Sequence, residues 1–225
     1  TSGILASELG FKHAKTTGSL PPEFDYRQQE IGRCSEFLSE YAGITGPAWG
    51  ISTACSSSGK AFASAARLLE TDLCDAVIVG GSDSLCELTL NGFDSLNLLS
   101  PKTCSPFSKN RDGINIGEGA ALFVLSKKPS NIQLMGVGEN SDAHHMSAPD
   151  PTGAGAALAM QAALDEAGLT PNDIGYLNCH GTGTIHNDAM ESAAIHSIFN
   201  NTVACSSTKS LTGHTLGAAG AQDIA

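Results

Sequence analysis

Short apolar runs alternate with alanine-rich amphipathic stretches along this chain, the block pattern of an α/β domain. From Ser57 to about Leu69 the residues Ala61, Phe62, Ala65, Ala66 and Leu69 share one face of a helix. Gly50-Ile51-Ser52-Thr53 reads as a strand running up to Ala54-Cys55. Ala76–Val79 supplies another, stopped by Gly80-Gly81, and Gly117–Leu125 a third, ended by Lys127-Lys128-Pro129.

The second half repeats the alternation. Ala154–Ala167 predicts a helix, with Gly168 as its stop and Pro171 beyond it. Gly175–Cys179 predicts a buried strand that delivers His180 to a glycine-rich turn. Asp188–Phe199 is helical in pattern, Val203-Ala204-Cys205 a short strand, and a further helix starts near Leu216 or Gly217. Thr16–Asp25, with Gly18, Pro21 and Pro22, predicts a surface excursion and not a linker.

Composition narrows the function classes. The chain has 225 residues, 41% hydrophobic and 16% charged, enough for one large domain with a sizeable core. A net charge of −11 argues against a broad basic face for nucleic acid. The longest apolar run, Ala76–Val79, is far below the roughly 20 residues of a membrane-spanning helix. Seven cysteines are scattered without a C-x-x-C pair, which disfavours a disulfide framework or zinc site and suits a reducing cytoplasm.

Three segments carry chemistry. In Thr53-Ala54-Cys55-Ser56-Ser57-Ser58-Gly59, a cysteine stands at a helix entrance, where the helix dipole favours a thiolate; a buried structural thiol is the alternative. His180-Gly181-Thr182-Gly183-Thr184, trailed by Asn187-Asp188 and Glu191, pairs a histidine with glycines that admit a ligand and hydroxyls that can bind it. Read alone, a histidine before such a loop is more often structural. Thr208-Lys209-Ser210-Leu211-Thr212-Gly213-His214 runs on into Thr215-Leu216-Gly217-Ala218-Ala219-Gly220, and its glycine spacing is not the dinucleotide-binding pattern. Gly59-Lys60 is no phosphate loop, because Ala54 stands where the leading glycine belongs.

Taken together, Cys55, His180 and His214 in these contexts resemble the Cys-His-His set of elongating β-ketoacyl-acyl carrier protein synthases. Arg111-Asp112-Gly113, Gly117-Glu118-Gly119-Ala120 and Ser141-Asp142-Ala143-His144-His145-Met146 extend the resemblance through nearly the whole chain. It implies a thiolase-like, layered α-β-α-β-α fold. Residues 1–225 would form a single ketosynthase core segment, covering the end of the first thiolase-like half and most of the second, incomplete at both ends and inactive in isolation.

The resemblance also implies a reaction. Cys55 would hold an acyl chain as a thioester, and a malonyl-carrier thioester would lose carbon dioxide to give an enolate. His180 and His214, as neutral imidazoles, would stabilise the enolate oxygen before its carbon attacks the Cys55 thioester. Lys209 would be a supporting cation beside Asp223, which replaces the usual glutamate, with Asp188 and Glu191 in the same polar network. Thr182 and Thr184 would bind pantetheine, and Ile4, after Thr1-Ser2-Gly3, would line the acyl pocket or else serve as core packing. No resident cofactor or metal is implied, since phosphopantetheine arrives on the acyl carrier protein. The other expected partner is a second ketosynthase subunit, identical or not.

Two departures stand out, the first a change in packing and the second bearing on partners. Ile114 stands where an aromatic is common, and Ser105 where many elongating synthases carry a carrier-docking arginine. Lys60, Arg67, Lys102 and Lys109 are the candidate basic contacts. A non-catalytic chain-length-factor subunit is the second reading, although such subunits usually lack the cysteine. A serine hydrolase using Ser56 or Ser57 would want G-x-S-x-G, which is absent.

Overall fold

A computed structural model describes residues 4–146 and 148–225. The chain divides into two compact units: residues 1–96, 116–127 and 214–225 form the first, and residues 97–115 and 128–213 the second. Each crosses the sequence more than once, so neither is a simple half of the chain.

The first unit is built on two antiparallel strands, β1 (Ala76–Asp83) and β2 (Gly119–Ser126), in register from Ala76↔Ser126 to Asp83↔Gly119. Helices α1 (Leu5–Thr17), α2 (Arg33–Ala42), α3 (Ser57–Glu70) and α4 (Glu87–Ser95) belong to it, as does α8 (Ala219–Ile224). The face of α3 expected from its periodicity packs on the strands. Phe62 and Ala65 join Val79 and Ala221 in the core, flanked by Val77, Ala121, Phe123 and Leu125. Phe62 meets Phe123 edge-on, centroids 5.3 Å apart, and burying such a ring contributes about 1.5–3 kcal/mol. The opposite strand face, with α2 and α3, borders an apolar cavity of about 600 Å³ that includes Phe37, Trp49, Leu68, Ile78 and Val124.

Two polar anchors tie the returning 214–225 segment to this platform. Buried Ser58 accepts the Ala221 N–H at 2.9 Å, and buried Asp83, the last residue of β1, accepts the Ala218 N–H at 3.0 Å. Close packing adds to this, since a Cβ on Gly220 would lie 2.9 Å from the Gly59 nitrogen.

The second unit carries α5 (Ala154–Ala167), α6 (Ile185–Phe199) and α7 (Lys209–Thr212), with a two-stranded parallel sheet, β3 (Tyr176–Asn178) and β4 (Ala204–Ser206). Glycines in the left-handed region, Gly153 (φ 72°) and Gly168 (φ 66°), bracket α5. The core joins Leu164, Cys179, Ile195 and Phe199, with Met160, Leu177 and Val203 around it.

Several boundaries differ from the sequence reading. β1 does not stop at Gly80-Gly81 but runs through them to Asp83, because both glycines pair with β2. Gly50–Thr53 is not a strand: Ser52–Ala54 are exposed, and the Thr53 N–H is taken at 2.9 Å by Ser57 Oγ instead of a neighbouring strand. With Ile51 its only bulky apolar residue, the run gains little by burial. Helix α6 starts at Ile185, a turn before Asp188, because the Thr184 carbonyl already accepts the Asp188 N–H at 3.2 Å. The last helix begins as a 3₁₀ turn, Leu216–Ala218. Among the described residues no helix is long and apolar enough to cross a membrane.

Candidate active site

In the first unit, Cys55 sits on a turn locked from both sides. Ala54 adopts φ 52°, a left-handed conformation costly for a residue with a Cβ. Ser57 Oγ donates to the Ala54 carbonyl at 2.6 Å while accepting the Thr53 N–H, and Ser56 Oγ donates to the Thr53 carbonyl at 2.8 Å. Both hydroxyls are thereby engaged by backbone. Ser56 is the N-cap residue of α3, so Cys55 stands one position before the cap of a 14-residue helix, at its positive end.

His214 belongs to the same unit and is 1% exposed. Its Nε2 lies 3.0 Å from Cys55 Sγ. The Leu216 N–H donates to its Nδ1 at 3.3 Å, so Nδ1 is the bare acceptor and Nε2 carries the hydrogen. Cys55 therefore faces an N–H donor on a neutral imidazole, not a base. Leu216 turns its N–H toward the ring at φ 53°, a second side-chain-bearing residue in the left-handed region. The Gly117 N–H donates to the His214 carbonyl at 3.0 Å and fixes the backbone.

The second unit gathers the other histidine and its carboxylates. The His180 and Gly181 N–H groups donate to Glu191 Oε1 and Oε2 at 2.6 and 2.7 Å. Burial pushes the Glu191 carboxyl above its ordinary value; those two N–H groups oppose the shift, Asp188 adds to it, and Lys209 opposes it. Asp188, 1% exposed, accepts the Gly183 N–H at 3.1 Å and the Phe107 N–H at 2.7 Å, with Arg111 Nε 3.9 Å away. Thr182 and Thr184 bond each other through their hydroxyls at 2.9 Å. Lys209, 2% exposed, is carried by α7, and Cys104 Sγ donates to its carbonyl at 3.3 Å. Cys179, next to His180, is pushed up to about 12 by burial and by the Glu191 charge, the opposite of an activated thiol.

Two family models match the chain. The N-terminal domain of β-ketoacyl synthase matches residues 31–131, and its C-terminal domain follows directly at 132–225. The chain belongs to the β-ketoacyl synthase family. It is 36% identical over 234 residues to Nodulation protein E of Rhizobium meliloti, covering 99% of this chain and 58% of that protein. To 3-oxoacyl-[acyl-carrier-protein] synthase 2 of Staphylococcus aureus it is 38% identical over 195 residues, 79% of this chain and 48% of that one. Among solved structures, a chain in the complex of the ketosynthase ApeO with its chain length factor ApeC, from Xenorhabdus doucetiae, superposes with a TM-score of 0.93. That likeness has 51% identity and covers 98% of this chain and 56% of that one. The chain thus spans about half to three fifths of the length of the proteins it matches, and its fold is the thiolase-like α/β fold of ketosynthases.

Within this member of the β-ketoacyl synthase family, Cys55 and His214 come together in one unit, and His180, Thr182, Thr184, Asp188, Glu191 and Lys209 belong to the other. Asp223 lies half-buried on α8. Ile4 is the half-buried residue preceding α1 and does not line the apolar cavity; its neighbours Thr1–Gly3 lie outside the described residues. Of the candidate basic contacts, Lys102 is paired with Asp112 at 3.2 Å.

Sequence reasoning overlooked Ser57 and Leu216. A serine run at a helix start signals capping in general, and nothing in it singles out the hydroxyl that clamps Ala54. Leu216 left no signal, because its contribution is a backbone N–H.

Proposed function

We propose that the protein containing this chain is an elongating β-ketoacyl-acyl carrier protein synthase with Cys55 as its nucleophile. The observation that carries this reading is the 3.0 Å approach of His214 Nε2–H to Cys55 Sγ, with Nδ1 held as an acceptor. A general base would present a lone pair to the sulfur. This imidazole presents a donor, which suits a thiolate first and an oxyanion later.

In the acyl-transfer step Cys55 Sγ bonds to the acyl carbon of a carrier thioester, the carrier's C–S bond breaks, and its sulfur leaves as the thiol after taking a proton. Malonyl-carrier thioester then loses carbon dioxide. The electrons of the broken C–C bond form an enolate, whose oxygen His214 stabilises through Nε2–H, with His180 as the second donor. The enolate carbon attacks the acyl carbonyl, a C–C bond forms, the Cys55 C–S bond breaks, and a β-ketoacyl-carrier thioester two carbons longer leaves. Charge throughout is met by N–H donors, so the chemistry asks for no resident cofactor; the pantetheine arm comes with the carrier, toward Thr182 and Thr184. Lys209, Glu191, Asp188 and Asp223 support the histidines electrostatically.

The structural likeness to a ketosynthase–chain length factor pair supports a second ketosynthase subunit as a partner. A chain-length-factor role for this chain itself is disfavoured by Cys55 on its strained turn beside His214. Cys55→Ala in the full-length protein, assayed with acyl- and malonyl-carrier thioesters, should lose at least about 10³-fold in condensation, and the acyl-enzyme mass should vanish. Retained condensation would remove the reading; wild-type protein that never acquires an acyl mass would favour the partner-subunit role.

A further inference from the structure

Asp83 is buried at the end of β1, carries a carboxylate, and takes no part in the chemistry above. Its Oδ2 accepts the Ala218 N–H at 3.0 Å, across 135 positions of sequence. Ala218 closes the 3₁₀ turn Leu216–Ala218, where its N–H also donates to the Thr215 carbonyl at 3.0 Å. The same turn contains Leu216, whose strained backbone aims an N–H at His214 Nδ1. A bulky residue at φ 53° persists only where its surroundings over-determine it.

Packing around the turn is tight enough to transmit the anchor. A Cβ on Gly81, two residues before Asp83, would lie 2.9 Å from the Ala218 Cα and 3.1 Å from the Gly217 carbonyl oxygen. Ala218 and Leu216 are buried. The end of β1 and the turn are thus in contact through backbone, and the Asp83 carboxylate supplies a polar bond at that contact.

We infer that Asp83 is a positioning residue for His214: by holding the 3₁₀ turn, it keeps the Leu216 N–H on Nδ1 and thereby keeps the hydrogen on Nε2, facing Cys55. The inference rests on the proposed condensation and extends it, assigning the imidazole's tautomer to a carboxylate that acts through the backbone of the turn. A charged acceptor suits this task, since a bond from a peptide N–H to a carboxylate is stronger than one to a neutral oxygen.

The test compares variants of the full-length protein by condensation kinetics, thermal unfolding and ¹⁵N spectroscopy of histidine side chains, the His214 signals being assigned by their loss in His214→Gln. Asp83→Ala should lower kcat about 10- to 100-fold with little change in KM, the scale of a misplaced catalytic group. The His214 ring should then lose its Nε2–H pattern. Asp83→Asn keeps an acceptor oxygen and should restore both readouts. Ser58→Ala removes another buried acceptor from the same segment, at Ala221; it should lower the unfolding temperature without the kcat loss. Should Asp83→Ala fail to fold, Asp83→Ser, whose hydroxyl falls one atom short, takes its place.

Asp83→Ala, or Asp83→Ser in its place, within twofold of wild-type kcat or with an unchanged His214 signal would overturn the inference. So would a Ser58→Ala loss equal to that of Asp83→Ala. Cys55→Ala separates the two levels: if it stays active, the condensation reading fails. If it is inactive while Asp83→Ala is not, only the positioning role fails.

Discussion

Beside Cys55 and His214 the chain enters the left-handed region at Ala54 and Leu216, residues with side chains. Beside His180 it does so at Gly181 (φ 38°) and Gly183 (φ 81°). The difference reflects what each cluster must accommodate. The Cys55 turn has room for a Cβ, and its strain is held by Ser56 and Ser57 hydroxyls. The His180 loop has none: a Cβ on Gly181 would lie 2.5 Å from Ser207 Cβ, and one on Gly183 would lie 2.6 Å from the Gly113 carbonyl oxygen. Electrostatics divide the same way. In the first cluster the groups at Cys55 are a neutral imidazole and local dipoles, with the Asp83 carboxylate holding the turn behind the ring. In the second, two buried carboxylates accept the N–H groups of the His180 loop itself.

The sharpest way to break the comparison is Gly183→Ala. It combines a left-handed φ with a collision against backbone, and the Gly113 N–H donates to the Gly183 carbonyl at 3.1 Å, so a shift there costs a hydrogen bond as well. Destabilisation of about 2–4 kcal/mol is expected in the full-length protein, read by denaturant unfolding. A loss below about 0.5 kcal/mol, the level of an ordinary surface substitution, would show that the loop yields and that its glycines answer no steric demand.

Glu191→Gln probes the electrostatic side of the comparison. Burial raises the Glu191 carboxyl above 4.5, so the folded state retains a proton that the unfolded chain releases. Stability from this group is full below pH 4.5 and falls as pH rises through the higher folded value. The neutral glutamine does not titrate. Its amide can accept only one of the two N–H groups, so the variant is less stable at low pH. The wild-type advantage in unfolding temperature should shrink as pH rises from 4.5 toward neutrality. An advantage that grows with pH would mean that the two N–H donors outweigh burial.

Much of both clusters was legible in the sequence, for physical reasons that also mark the limit. The face of α3 and the span of α5 follow from apolar periodicity and from glycine stops, which are local properties. The histidine, carboxylates and threonines of the second cluster were picked out by the resemblance of their motif to a family pattern, and the structure gathers them around one glycine-rich loop. Gly50–Thr53 was misread because a small, polar run offers no burial with which to test a strand. The Asp83 anchor was invisible because folding brings together groups 135 positions apart, and the Leu216 N–H and the Ser57 clamp because a local bond to backbone leaves no mark on residue type.

The smallest effect tests the strained turn itself. Ala54→Gly relieves a left-handed cost of about 1–2 kcal/mol, while the added freedom of the unfolded glycine offsets about 0.5–1 kcal/mol of it. Stability should therefore rise, by up to about 1.5 kcal/mol. Activity should move the other way. With the Cβ gone, the turn can leave φ 52°, and Cys55 Sγ spends less time within reach of His214 Nε2. Alkylation of Cys55 by iodoacetamide should slow severalfold, while Cys179, buried and held up at about 12, stays unlabelled at pH 8 in both proteins. A glycine variant that is both more stable and equally reactive would mean that the Ser56 and Ser57 hydroxyls alone define the turn. The alanine strain would then have no part in aiming the nucleophile, and the contrast with the His180 loop would reduce to steric room.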